Sequence, residues 1–141
     1  MKTILIAGFI LACSPAFAQN MDASKVPAAA KSSFSKSFPK ATNVKWEKED
    51  GNYEAGFTEN GREMAATFDE KGTWLETESK IAISALPKGV VEYVEKNYKG
   101  QKIKGAEKLS LPNNEVQYEA EIKGADLIFD ANGKFVKSKK G

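Results

Sequence analysis

Histidine is missing from this chain, and cysteine occurs once, at Cys13. Without histidine there is no usual general base, no imidazole zinc ligand and no central member of a Ser-His-Asp triad. Cys13 lies inside what reads as an export signal. Lys2 gives a basic start, Ile4 to Ala12 a short apolar stretch, and Ala16-Phe17-Ala18 a small-x-small cleavage site before Gln19. Residues 1–18 are therefore expected to be a signal peptide cleaved after Ala18, which would make the protein periplasmic or secreted. The stretch is too short for a membrane span, and no transmembrane segment is expected elsewhere. Ile10-Leu11-Ala12-Cys13 offers a competing lipoprotein reading with a lipid anchor at Cys13, but leucine directly before the alanine fits that pattern poorly. Removal of the signal would take the thiol nucleophile with it. It would also leave no disulfide in an oxidising compartment, so a packed core has to hold the fold. An excess of one charge is lacking too: 21 basic residues stand against 19 acidic, giving a net charge of +2. Interspersed, nearly balanced charge argues against a nucleic-acid partner, which would require a surplus of phosphate-neutralising cations.

What the chain does contain is an internal echo. Val26-Pro27 and Leu86-Pro87 each open a stretch of helical spacing that ends on an aromatic, Phe38 or Tyr98. Extended segments follow, sharing Tyr53-Glu54-Ala55 and Tyr118-Glu119-Ala120, and both copies close on Phe-Asp-x-x-Gly at 68–72 and 129–133. Self-similarity at a fixed period signals repeated supersecondary units that bury surface against one another. The predicted organisation is a mobile stretch at 19–25, a first repeat at 26–80, a linker at 81–85 and a second repeat at 86–141.

Within each copy the hydrophobic period switches from about four to two. Phe34 and Phe38 share a helix face, as do Val90, Val91, Val94 and Tyr98, with Gly100 as a stop. Val44 to Glu47, Tyr53 to Thr58, Glu63 to Phe68 and Thr73 to Thr77 then alternate between turn signals at Asp50-Gly51-Asn52, Asn60-Gly61 and Asp69 to Gly72. The second copy repeats the scheme through Leu109 and Leu111, Val116 to Ile122, Leu127 to Phe129 and Phe135-Val136. The fold class is therefore α+β: a tandem duplication of a helix plus a four-stranded antiparallel sheet, one sheet face covered by helix and the other polar.

Candidate chemistry is sparse. Asp130-Ala131-Asn132-Gly133 resembles a fragment of a calcium loop, but position 5 would be Lys134 and position 12 Gly141. A tight hairpin explains these residues better, aspartate accepting backbone N–H groups and glycine taking positive φ. A carboxylate acid–base pair would require one member raised in a pocket. Glu47, Glu49, Glu54, Glu59, Glu63, Glu115, Glu119 and Glu121 read instead as a solvated salt-bridge lattice on the wet sheet face. Ser32, Ser33 and Ser35 beside Lys31 and Lys36 read as an outer helix face meeting water. Gly56, Ala65 and Thr67 make a flat patch of small residues, read either as ordinary surface or as a place where another backbone or side chain approaches closely. Trp46 and Trp74 belong either to seam packing or to binding anchors.

These features together resemble the PepSY-like family of small exported proteins, whose fold is described as like β-lactamase-inhibitor protein. The resemblance runs over residues 26–138 and rests on Pro27, Tyr53, Glu54, Phe68, Asp69 and Gly72, with Pro87, Tyr118, Glu119, Phe129, Asp130 and Gly133 in the second copy. It implies two α/β units building a concave sheet face, and a non-enzymatic role in binding or inhibiting another exported protein; it supplies no catalytic residues and no cofactor. The expectation is thus a binding module that docks an exported protein or peptide through Glu54, Glu63, Thr67, Glu119 and Glu121, with Trp46 or Trp74 as anchors. The alternatives are an inhibitor of an envelope hydrolase, of protease or β-lactamase type, and a small-ligand or ion carrier.

Overall fold

The structure is a computed structural model and describes residues 20–141. The expected signal peptide, its cleavage site and Cys13 lie outside the described residues. Helix α1 (Ala28–Ser37) precedes strands β1 (Thr42–Glu49), β2 (Asn52–Glu59), β3 (Arg62–Phe68) and β4 (Trp74–Lys80). Helix α2 (Lys88–Asn97) precedes β5 (Gly105–Leu111), β6 (Glu115–Ile122), β7 (Ala125–Asp130) and β8 (Phe135–Lys140). The strands form one antiparallel sheet in sequence order, β1 to β8. β4 pairs directly with β5, Thr77 opposite Ser110 and Lys80 opposite Glu107. The two four-stranded halves, expected from so brief a linker to lie edge to edge or share a continuous sheet, form one continuous eight-stranded sheet. The brief connection through Ile81 brings the second half alongside the first, its N–H bonding to the Ala106 carbonyl at 3.0 Å.

Strand alternation sends one set of side chains under the helices. Trp46, Ala55, Phe57, Ala66 and Phe68 pack with Ala30 and Phe34 of α1. Ala106, Ala120, Ile122, Leu127 and Phe129 pack with Val90 and Val94 of α2. Because Thr77 and Ser110 face each other in register between these sets, both helices lie on the same side of the sheet. The first core is aromatic: Phe34 meets the rings of Phe57 at 5.1 Å and Trp46 at 5.4 Å, both edge-on. In the second, Tyr93 stacks on Phe135 at 4.6 Å.

The two Phe-Asp-x-x-Gly hairpins carry equivalent bonds. Asp69 accepts the backbone N–H groups of Lys71 and Thr73, and Asp130 those of Asn132 and Lys134, at 2.8–2.9 Å. Each turn glycine abuts the helix of its own half: a Cβ on Gly72 would lie 2.6 Å from the Ala29 carbonyl oxygen, and one on Gly133 would lie 3.0 Å from Pro87 Cβ. Ser33 Oγ donates to the Gly72 carbonyl at 2.7 Å. That serine was expected to meet water and instead ties α1 to the β3–β4 turn. The segment expected to be mobile is also tied down, since Met21 donates its N–H to the Trp46 carbonyl at 2.7 Å. That bond caps part of an otherwise open sheet edge.

Candidate functional site: the helix-free face of the sheet

The second set of strand side chains points away from both helices, and among the described residues no helix covers that face. Register places Glu47 beside Glu54, Glu54 beside Thr67, and Thr67 beside Glu76 across β1 to β4. Further along the strands, Gly56, Ala65, Glu78 and Leu109 form a second row. In the second half, Glu107 faces Glu119, which faces Ile128, while Glu121 faces Asp126. The lysines on these strand positions are Lys45, Lys80, Lys137 and Lys139.

Two apolar side chains form the floor. Leu109 is 2% exposed and Ile128 0%, yet neither belongs to the helix-covered cores. Side chains from the neighbouring strands shield them. Glu107 on β5 is among the charges that help to raise the Glu54 carboxyl on β2.

The interior carboxyls on this face are half-buried among one another. Glu54 is pushed up to about 7, first by desolvation and then by Glu49, Glu47, Glu76 and Glu107. Glu78, at the centre, is pushed up to about 9 by desolvation, with the Glu76 carboxyl beside it and the charges of Glu107 and Glu54 adding. Glu119 reaches about 7 by desolvation, Asp126 adding to the rise and Lys139 opposing it. Desolvation also raises Glu107 and Asp126. The solvated lattice expected here is therefore corrected: the interior carboxyls are crowded and half-buried, and ion pairs form both at the rim and, through Lys139 and Glu119, within the face. Lys80 pairs with Glu63, both well exposed. Lys104 lies 3.8 Å from Glu121, and Lys139 lies 3.8 Å from Glu119, whose side chain is 15% exposed. Beside the β4–β5 seam the face sinks into a recess of about 270 Å³, bounded by Lys80, Ile81, Gly105, Glu107, Glu119 and Glu121 among others. Among the described residues, no group of three or more acidic side chains is arranged to hold a metal ion.

Of the residues singled out from sequence, Glu54, Glu63, Thr67, Glu119 and Glu121 do share this face. Trp46 and Trp74 do not. Trp46 is 6% exposed within the core under α1, and Trp74 packs against that core with its indole N–H donated to Thr77 Oγ1 at 2.8 Å. Both pack in or against the first core rather than standing as exposed anchors. Glu76, Glu78 and Glu107 went unrecognised. The period-two run Glu76-Thr77-Glu78-Ser79-Lys80 carried the signal, but ending the fourth strand at Thr77 hid it.

The family model described as "Putative beta-lactamase-inhibitor-like, PepSY-like" matches residues 17–65 and 51–137. The chain belongs to this PepSY-like family. Solved structures share its fold. A BLIP-like protein from Bacteroides fragilis is 28% identical, with 81% of this chain and 86% of that one covered and a TM-score of 0.62. A DUF2874 family protein from Bacteroides ovatus is 23% identical, covering 81% and 86%, with a TM-score of 0.69. A structure from Bacteroides eggerthii, described as "putative periplasmic proteins", is 14% identical, covering 82% and 88%, with a TM-score of 0.72. No curated protein matches the chain. Among the described residues of this PepSY-like protein, no helix is long and apolar enough to cross a membrane.

Proposed function

We propose that this PepSY-like protein is an exported, non-enzymatic binding module that docks a protein or peptide on the helix-free face of its sheet. One observation carries the reading: crowded, half-buried carboxyls and a buried apolar floor stand on a face that no helix covers among the described residues. Burying unpaired carboxyls is unfavourable, and a sequence selected only for stability would place lysines or threonines there. Function is the usual reason for such local conflict. We read the two halves as a tandem duplication, supported by the repeated order of elements and by the matching hairpin and helix–turn contacts.

Raised carboxyls could also suggest acid–base catalysis. That chemistry needs one group raised and its partner held low across a substrate cleft. Here Glu54, Glu78, Glu107, Glu119 and Asp126 all move up together, which is crowding and not a division of roles. The family description and the BLIP-like relative favour a second reading, in which the docked partner is an envelope hydrolase and the protein its inhibitor. A carrier for a small ligand or ion is supported less, because the recess is small and lined by charge.

Photocrosslinking in intact cells tests the docking reading. Crosslinkers at Ala65 and Thr67 should yield a discrete protein adduct, whereas one at Lys96, on α2, should not. Adducts from Lys96 alone, or none from the sheet face, would refute it. Purified protein added to envelope proteases and β-lactamases distinguishes the inhibitor reading by whether hydrolysis slows in proportion to complex formation.

A further inference from the structure

The sheet ends on two strands, β1 and β8, and its two edges are finished differently. On β1 the register shifts between Thr42 and Lys45, Asn43 has a φ of 54°, and Met21 bonds to Trp46 from outside. Bulges and covering segments close an edge to other strands. β8 is irregular only near its start, opposite Ile128 and Phe129, and from Lys137 to Lys140 it keeps regular register with β7. Among the described residues no strand pairs with its far side. Gly141 donates its N–H to the Gly124 carbonyl at 3.3 Å, and antiparallel ladder bonds recur at alternate residues. Lys139 and Lys137 therefore address β7, while Ser138 and Lys140 turn their backbone N–H and carbonyl groups outward.

Charge decides what this edge admits. Lys134, Lys137, Lys139 and Lys140 stand on or beside β8, and residues 131–141 contain no acid. Lys139 lies 3.8 Å from Glu119, but among the described residues no ion pair engages Lys134, Lys137 or Lys140. Lysines on an edge deter strands that carry the same charge. A second copy of β8, paired antiparallel about Ser138, would set Lys137 against Lys139, and like charges in such register are unfavourable. The β1 strand of a second copy is no better, since Met21 already bonds to it and Lys45 and Lys48 cancel Glu47 and Glu49. An acidic strand meets none of these obstacles.

We infer that β8 is a docking edge for an extended acidic segment of another protein, which adds to the sheet as a further strand. The site lies at the sheet's edge and bonds through main chain, apart from the face on which the docking reading rests. The added strand accepts the outward N–H groups of Ser138 and Lys140 and donates to their carbonyls, as in strand addition to other exposed edges. Acidic side chains at its alternate positions come beside Lys137, which is exposed and in register with Ile128 on the helix-free face. The side chains between them fall on the opposite face, beside Ser138. Because the lysines are exposed, added salt weakens the binding.

The test presents three capped octapeptides to the purified protein. One alternates glutamate and threonine, the second has glutamine in place of glutamate, and the third is the glutamate peptide N-methylated at every residue. N-methylation keeps the charge and removes the backbone donors. Chemical-shift mapping and amide hydrogen exchange give affinity and location. The glutamate peptide should shift resonances along β8 and slow exchange of the Ser138 and Lys140 amides at least tenfold. The other two peptides should bind at least tenfold more weakly. K137Q/K140Q changes only exposed side chains, so it should fold and bind the glutamate peptide at least fivefold more weakly. S138P removes an outward N–H while leaving the ladder to β7 in place, and should abolish the binding. Equal binding of the N-methylated peptide would reduce the effect to adsorption of charge and overturn strand addition. Equal binding of the glutamine peptide, or unchanged affinity in K137Q/K140Q, would overturn the acidic preference. No slowing at Ser138 and Lys140 with millimolar glutamate peptide would overturn the inference entirely. The sheet-face docking reading stands or falls separately, on the crosslinking.

Discussion

Replacing Glu54 by glutamine should stabilise the protein at alkaline pH and leave it nearly unchanged in acid. The folded state raises the Glu54 carboxyl from 4.5 to about 7, so it binds that proton more tightly than the unfolded chain does. Stability contributed by this group is therefore greatest below the unfolded value, falls as pH rises between 4.5 and about 7, and is level above that. At about 1.4 kcal/mol per pH unit the shift sets a ceiling of about 3 kcal/mol. Part of the carboxyl still meets water, and screening reduces the expected gain to about 1–2 kcal/mol. Glutamine keeps the shape and carries no charge to dehydrate. Thermal unfolding should show a melting temperature higher by about 4–8 °C at pH 8, with the two proteins converging near pH 4.5. A constant offset at both pH values, or a loss of stability at pH 8, would refute the argument that a buried charge on the helix-free face is the cause.

Three further outcomes follow from packing and turns. Gly72→Ala should cost about 2–4 kcal/mol, because its methyl would collide with Ala29 and Ser33 at a positive φ. Gly61→Ala, where nothing lies within 4 Å, should cost only about 1–2 kcal/mol, and urea unfolding of the pair separates collision from backbone strain. Phe129→Ala, at a side chain with no exposure and in contact with Tyr93 and Phe135, should cost about 3–5 kcal/mol by the same assay. Asp130→Ala should cost about 1 kcal/mol through the lost bonds to Asn132 and Lys134, and exchange of those two amide hydrogens should speed up before any global loss appears.

Local order was legible because local chemistry produces it. Pro27 and Pro87 immediately precede the two helices, and aspartate with glycine made the hairpins at 69–72 and 130–133 readable as turns. Alternation assigned Tyr53, Ala55 and Phe57 to one face and Glu54 and Thr67 to the other. Tryptophan was misleading, because placing a strand near a sheet edge says nothing about whether a helix lies over it. Trp46 is in the edge strand β1 and is still buried by α1 and by Met21. Leu109 and Ile128 were invisible as floor residues, since an apolar residue in a strand is ordinarily assigned to the helix-covered core.

By itself, the sequence determined which segments coil, which extend and where each turns, because these depend on contacts within a few residues. It also determined that no imidazole is available for chemistry. Only the tertiary structure decided that β4 joins β5, that both helices lie on one side, and that the opposite side crowds half-buried carboxyls together. Those outcomes arise from strand pairing across the sheet, which brings Glu54, Glu78, Glu107 and Glu119 within electrostatic reach across 65 positions of chain.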